Sequence, residues 1–364
     1  MAYFDENIAP ILYLVGLCVR AVIGIGRTRR LFLPVEPVPA LGASSFIPHM
    51  KAIVIMAHLT RYRFGDTRTL VPLTLVFVLC AGLLPLDLVA QKINTNEKAA
   101  HGVSMTYHND RYYMAWAGES NRIYVMRSDE GVDWRAKIAL DERTGHAPDI
   151  ASDGEYLYLI WSGEGSNNVY VMRSEDGVDW TNKMRLDERT DARPAITASD
   201  EGLLLIAWKG ETDNKLHVMR SRDGIDWRAE VILDEQTLNG LTLASHNGRF
   251  YIAWTGVSNN DLYVMRSDDG VDWKAKIALN ERSRKAPSLA SYNDRLFMAF
   301  NGDSKGDIYV LSSEFGVDWE NKITLNERTL KSVKLCAGHK LALGFQGESS
   351  NHVYNTMSRD GVDF

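Results

Sequence analysis

The chain has 364 residues, 45% hydrophobic and 24% charged, with a formal net charge of -6. That balance excludes wholesale disorder and a polytopic membrane protein. The acidic charge argues against nucleic-acid binding, and three cysteines are too few for a disulfide scaffold.

The averages conceal two unlike parts. All nine tryptophans lie between Trp116 and Trp319, and seven of the ten prolines precede residue 91. Residues 1–90 carry eight Lys/Arg against five Asp/Glu, so the remainder is strongly acidic. Within this leader, Thr69–Leu86 is a run of 18 uncharged residues preceded by Arg61, Arg63 and Arg68. A basic region followed by an apolar region is the layout of a signal peptide or a signal anchor. A start at Met50 or Met56 would leave residues 1–49 or 1–55 as an extension without a fold. The expected organisation is therefore 1–55 as an extension, 56–90 as signal peptide or membrane anchor, and 91–364 as the working domain. Its expected location is secreted, periplasmic or cell-surface. The alternative for the apolar run is a helix packed on the main domain. Arg29-Arg30 resembles a twin-arginine signal, but Pro34, Pro37 and Pro39 interrupt the stretch that follows.

The working domain is a sixfold repeat. Its shortest unit reads Ser174-Glu-Asp176-Gly177-Val-Asp179-Trp180, and the copies end at Trp134, Trp180, Trp227, Trp273, Trp319 and Phe364. Those positions are 46, 47, 46, 46 and 45 residues apart. A second aromatic recurs two residues before a glycine, at Trp116, Trp161, Trp208, Trp254, Phe300 and Phe345. Each unit holds four short β-type runs separated by Gly, Asn, Asp and Ser, with no helical period. Four strands per unit, six times over, predicts an all-β six-bladed propeller of antiparallel blades. The last copy stops at the opening of its fourth strand. Lys92-Ile93-Asn94-Thr95-Asn96-Glu97 matches the missing piece, so an N-terminal strand is expected to close the ring and cover its edge.

The short motif resembles the Asp-box (BNR repeat) of sialidase-like propellers. It departs from that pattern in having Asp and Gly adjacent, Asp at the Thr position, and Glu130 or Phe315 at the acidic position of two copies. The motif's chemistry is structural: Ser and Asp oxygens accept backbone N–H groups, and glycine permits a positive φ. Calcium would need more oxygen ligands than the turn supplies, and Phe315 removes one. No metal and no cofactor are expected. His101 and His146 occupy equivalent positions but lack a third ligand, so zinc is not expected there.

The resemblance implies an exo-sialidase as the enzyme alternative, with three arginines clamping a carboxylate and a Tyr–Glu pair. The family's Arg-Ile-Pro motif does not occur. The candidate loops are nearly alike in every blade, whereas one catalytic centre needs blades that differ. The fourth-strand ends supply Glu142, Arg143, Glu188, Arg189, Glu235, Glu281, Arg282, Glu327 and Arg328, with Glu97 as a sixth glutamate. The second-to-third-strand loops supply Glu119, Glu164 and Glu211, with Asp303 and Glu348. Repetition admits two readings: one blade-to-blade ion pair made six times, or a ring of equivalent polar sites near aromatic side chains, as in a multivalent lectin. The expected function is a non-catalytic binding module for a glycan or a protein partner, with no nucleic acid and with membrane contact only through the leader. The alternative is an exo-acting glycoside hydrolase of sialidase type.

Overall fold

In a computed structural model of the protein, the described residues are 92–364, with a short antiparallel pairing of Ile55–Met56 and Val76–Phe77. Apart from that pairing, the expected leader lies outside the described residues. Among these, no helix is long and apolar enough to cross a membrane.

Residues 92–364 form six four-stranded antiparallel sheets. Blade 1 consists, from first to fourth strand, of Val103–His108, Arg111–Ala117, Arg122–Ser128 and Arg135–Arg143. Blades 2 to 5 repeat that order within 149–189, 195–236, 242–282 and 288–328. In blade 6, Lys334–Ala337, Leu341–Gln346 and His352–Ser358 are followed in space by Ile93–Lys98, which pairs with the third strand. First strands of successive blades pack side by side around the axis, and blade 6 returns to blade 1. This is a six-bladed β-propeller.

A blade cannot bury both faces alone, so its apolar residues go into the junctions. The second-strand aromatics Trp116, Trp161, Trp208, Trp254, Phe300 and Phe345 are fully buried. Each stacks on the third-strand ring opposite it, with centroids 5.4 Å apart for Trp161–Tyr170 and 5.7 Å for Phe345–Tyr354. The free Cys336 is buried on a first strand, and burial pushes its thiol up to about 12, which makes it inert.

The repeated motif forms the turn between the third and fourth strands. In blade 3, Asp223 Oδ1 accepts the N–H groups of Ile225 and Asp226 at 2.9 and 2.8 Å, and Ser221 Oγ accepts that of Gly224 at 3.0 Å. Blades 2, 4 and 6 repeat the pattern through Asp176, Asp269 and Asp360. These N–H groups hold all four carboxyls below their ordinary range, Asp223 at about 2. A depressed native pKa contributes stability above the unfolded value near 4 and loses it as pH falls through the native value. The urea midpoint should therefore fall as pH drops from about 4 to 2. Asp223→Ala should cost about 1 kcal/mol at pH 7 and flatten part of that acid slope.

Candidate functional site

Antiparallel order places the second-to-third-strand loops and the fourth-to-first-strand connections on one face, here the loop face. The repeated turns lie on the other. The sequence-predicted site residues lie at the fourth-strand ends and in the second-to-third-strand loops, and most of their contacts fall into two repeated sets.

In one set of contacts, five of the six fourth-strand glutamates meet a lysine of the next blade. Lys183 lies 2.6 Å from Glu142, Lys276 2.6 Å from Glu235, Lys322 2.6 Å from Glu281 and Lys92 2.5 Å from Glu327. Lys137 lies 2.5 Å from Glu97. The same ammonium sits over the stacked aromatic pair, 4.6 Å from the Tyr263 centroid for Lys276 and 4.2 Å from Tyr354 for Lys92. The anticipated ion pair thus exists, but its cation is a lysine of the next blade rather than the arginine beside the glutamate. No sequence reading singled out these lysines, although they recur at one fixed place in the repeat.

The arginines belong to the second set. Arg189 lies 3.1 Å from Glu211, and Arg143 is 3.8 Å from Glu164. Lys98 stands in the same place 3.8 Å from Glu119. Asn121 and Asn167 add bonds to Glu164 and Glu211, at 2.7 and 2.8 Å. Arg282 and Arg328 instead turn to Asp261 and Asp307 of their own blades, at 3.0 and 2.6 Å.

This second set therefore crosses the junctions of blades 6 and 1, 1 and 2, and 2 and 3, and between blades 3 and 4 both of its members are replaced. The arginine position holds Gln236 and the loop-glutamate position holds Val257. Gln236 donates to the Asp213 carbonyl at 3.0 Å, within its own blade. Only the Lys276–Glu235 pair spans this junction, and beside it lies a cleft of about 360 Å³, lined by Glu235, Gln236, Val257, Asn259, Tyr263 and Lys276. Glu188, between blades 2 and 3, is the one fourth-strand glutamate among the described residues whose lysine is missing.

A third departure from the repeat lies at the axis. Equivalent first-strand positions carry Ser104, Asp149, Ala195, Thr242, Ser288 and Lys334. Where the residue is Ser or Thr, its oxygen accepts the N–H of the next blade, as in Ile150 to Ser104 at 3.1 Å and Leu335 to Ser288 at 2.9 Å. Asp149 does the same for Ile196 through Oδ2 at 3.1 Å. Its Oδ1 takes Lys334 at 2.6 Å, Arg193 at 2.8 Å and the Ser104 hydroxyl at 2.5 Å. Burial pushes the Asp149 carboxyl up, but Lys334 and Arg193 outweigh it and hold it at about 2. Burial likewise lowers Lys334. Asp149, Arg193 and Lys334 are legible only when the copies are aligned and read for difference. Asp149→Asn should cost about 3–5 kcal/mol in chemical denaturation, because two buried cations lose their counter-charge. Lys334→Met should cost less, since Arg193 still pairs with Asp149.

His101 and His146 lie 6.3 Å apart, and burial lowers both. Among the described residues no carboxylate or thiol joins them in a metal-binding group.

No protein-family model matches the chain, and no curated protein matches it. Solved structures do match. The SapL1 lectin in complex with alpha methyl fucoside superposes with a TM-score of 0.56 at 12% identity, over 70% of this chain and 91% of that one. The α-L-arabinofuranosidase arb93a of Fusarium graminearum gives 0.58 at 15%, over 74% and 97%. The Hadza microbial sialidase Hz136 gives 0.54 at 15%, over 72% of this chain and 66% of that one. The chain shares its fold with lectin and glycoside-hydrolase propellers.

Proposed function

We propose that the protein is a non-catalytic glycan-binding propeller that takes its ligand on the loop face, at the cleft between blades 3 and 4. The observation that carries this is the joint replacement of the arginine and the loop acid at this junction, where a cleft lies. Gln236 and Val257 line a cleft of about 360 Å³ together with Tyr263, Lys276 and Glu235. A sugar can use this mixture: a carboxylate, an ammonium and the amides of Gln236 and Asn259 for its hydroxyls, and the exposed Val257 for its C–H face. Four of the other five junctions repeat the lysine, glutamate and aromatic groups and give secondary sites of the same chemistry. At the axis the single carboxylate, Asp149, is occupied by two cations and a hydroxyl, which supports binding over an acid–base reaction there. The turn geometry supports placing the repeats in the Asp-box class, with Ile93–Lys98 as the strand that closes the ring. We take the leader as the export or anchoring element, which would put the propeller outside the cytoplasm.

The test is a glycan array with the full chain, beside hydrolysis assays on fluorogenic sialosides and arabinosides. The expected result is a selective set of bound glycans and no turnover. Lys276→Met should weaken the best ligand about tenfold, or about 1.4 kcal/mol. Turnover of any glycoside, or an array without selective binding, would refute the reading.

A further inference from the structure

Five junctions place a lysine between a glutamate of the preceding blade and an aromatic pair. The junction of blades 2 and 3 is built otherwise. At the lysine position, Arg228-Ala-Glu230 stands where blade 1 has Arg135-Ala-Lys137. At the tyrosine position, His217 stands where the other blades have Tyr124, Tyr170, Tyr263, Tyr309 and Tyr354. His217 keeps the tyrosine's place, stacked on Trp208 at 5.5 Å, and is 8% exposed. Two changes at one junction have thus replaced a cation and a phenol by a carboxylate and an imidazole.

The consequence is a group of three donors. One ligand atom each of Glu188, His217 and Glu230 lies within 4.8 Å of the others. His217 Nδ1 is 2.7 Å from Glu230 Oε1. On the other side of the ring, Nε2 is 3.1 Å from Asp213 Oδ2. Asp213 is itself fixed, since its Oδ1 accepts the Lys215 N–H at 3.0 Å. A proton on Nε2 donated to Asp213 directs the Nδ1 lone pair at the two glutamates. Three electron-rich groups then surround a slot that elsewhere holds an ammonium. Burial and the charge of Glu230 push the Glu188 carboxyl up, as expected where like charges face each other without a cation.

We propose that Glu188, His217 Nδ1 and Glu230 bind one divalent transition-metal ion, with zinc as the fitting probe, and that Asp213 orients the imidazole. Imidazole with carboxylates suits zinc and its neighbours rather than calcium or magnesium, which take oxygen alone. A carboxylate on the far ring nitrogen is the usual support for a metal-bound histidine. Three protein ligands leave a position for water or a ligand hydroxyl. The rival occupant of the slot is a proton, making His217 an imidazolium between Asp213 and Glu230.

The experiment uses the full chain, stripped with a chelator and titrated with zinc chloride at pH 7.5, with metal content measured after dialysis. The expected result is one zinc per chain and a raised melting temperature. The His217→Tyr/Glu230→Lys double variant installs the pair that five junctions already use, so it should fold and bind zinc at least about a hundredfold more weakly. The proposal is overturned if the wild-type chain takes up no more zinc than this variant. It is also overturned if the wild-type imidazole stays protonated at pH 7.5 and its NMR shifts ignore zinc. Glycan binding plays no part in the readout, so this result and that of the glycan array are independent.

Discussion

The propeller is held in step by a turn glycine pressed against a side chain of the preceding blade, an aromatic ring at four of the six junctions. A Cβ on Gly177 would lie 2.3 Å from Tyr113, on Gly224 2.1 Å from Tyr158, and on Gly316 2.3 Å from Tyr251. The same glycines have φ of 73, 67 and 68°, so a side chain is blocked by backbone and by neighbour alike. Each repeated turn therefore serves two purposes: it reverses the chain, and it seats one blade on the last. Tyr113 also donates its hydroxyl to the Asp176 carbonyl at 3.1 Å, and Arg173 donates to that of Asp223 at 2.8 Å. A ring built this way tolerates Phe315 in place of a turn aspartate, because the glycine contact remains. Its spacing is fixed by geometry at every junction.

That constraint explains what was legible in the sequence. Six blades and their antiparallel order follow from the spacing of Trp134, Trp180 and their counterparts. The buried row from Trp116 to Phe345 follows from its fixed place before a glycine. The glutamates at the fourth-strand ends were visible as a repeat, but their partners were not. Glu142 and Arg143 are adjacent along the chain, yet alternation along a strand sends them to different neighbours. Glu142 reaches Lys183 across the junction, whereas Arg143 meets Glu164 of the loop set. Sequence proximity suggested one ion pair where the structure has two separate sets.

The informative residues were hidden for the opposite reason. A repeat draws attention to what is shared, and Asp149, Arg193, His217, Glu230, Gln236 and Val257 are all exceptions. They cluster on blade 3 and its two flanks. There the frame keeps its aromatic core, with Trp208 and Trp254 fully buried, while the polar layer above changes. The repeated contacts set the shape, and the unrepeated side chains give blade 3 and its flanks a polar chemistry of their own. The axial cluster, with one carboxylate between Lys334 and Arg193, ties blades 2 and 6 across the ring and stiffens the floor on which those loops stand.

The most direct measurement of this account restores the repeat where it is broken. Gln236→Arg with Val257→Glu would rebuild the ion pair that Arg189 and Glu211 make one junction earlier, and so close the cleft between blades 3 and 4. Calorimetric titration of the preferred glycan into this variant and into the wild-type chain should show binding in the wild type alone, with melting temperatures unchanged or raised in the variant. Equal affinity in the two proteins would contradict the claim that recognition resides in the departures from sixfold repetition.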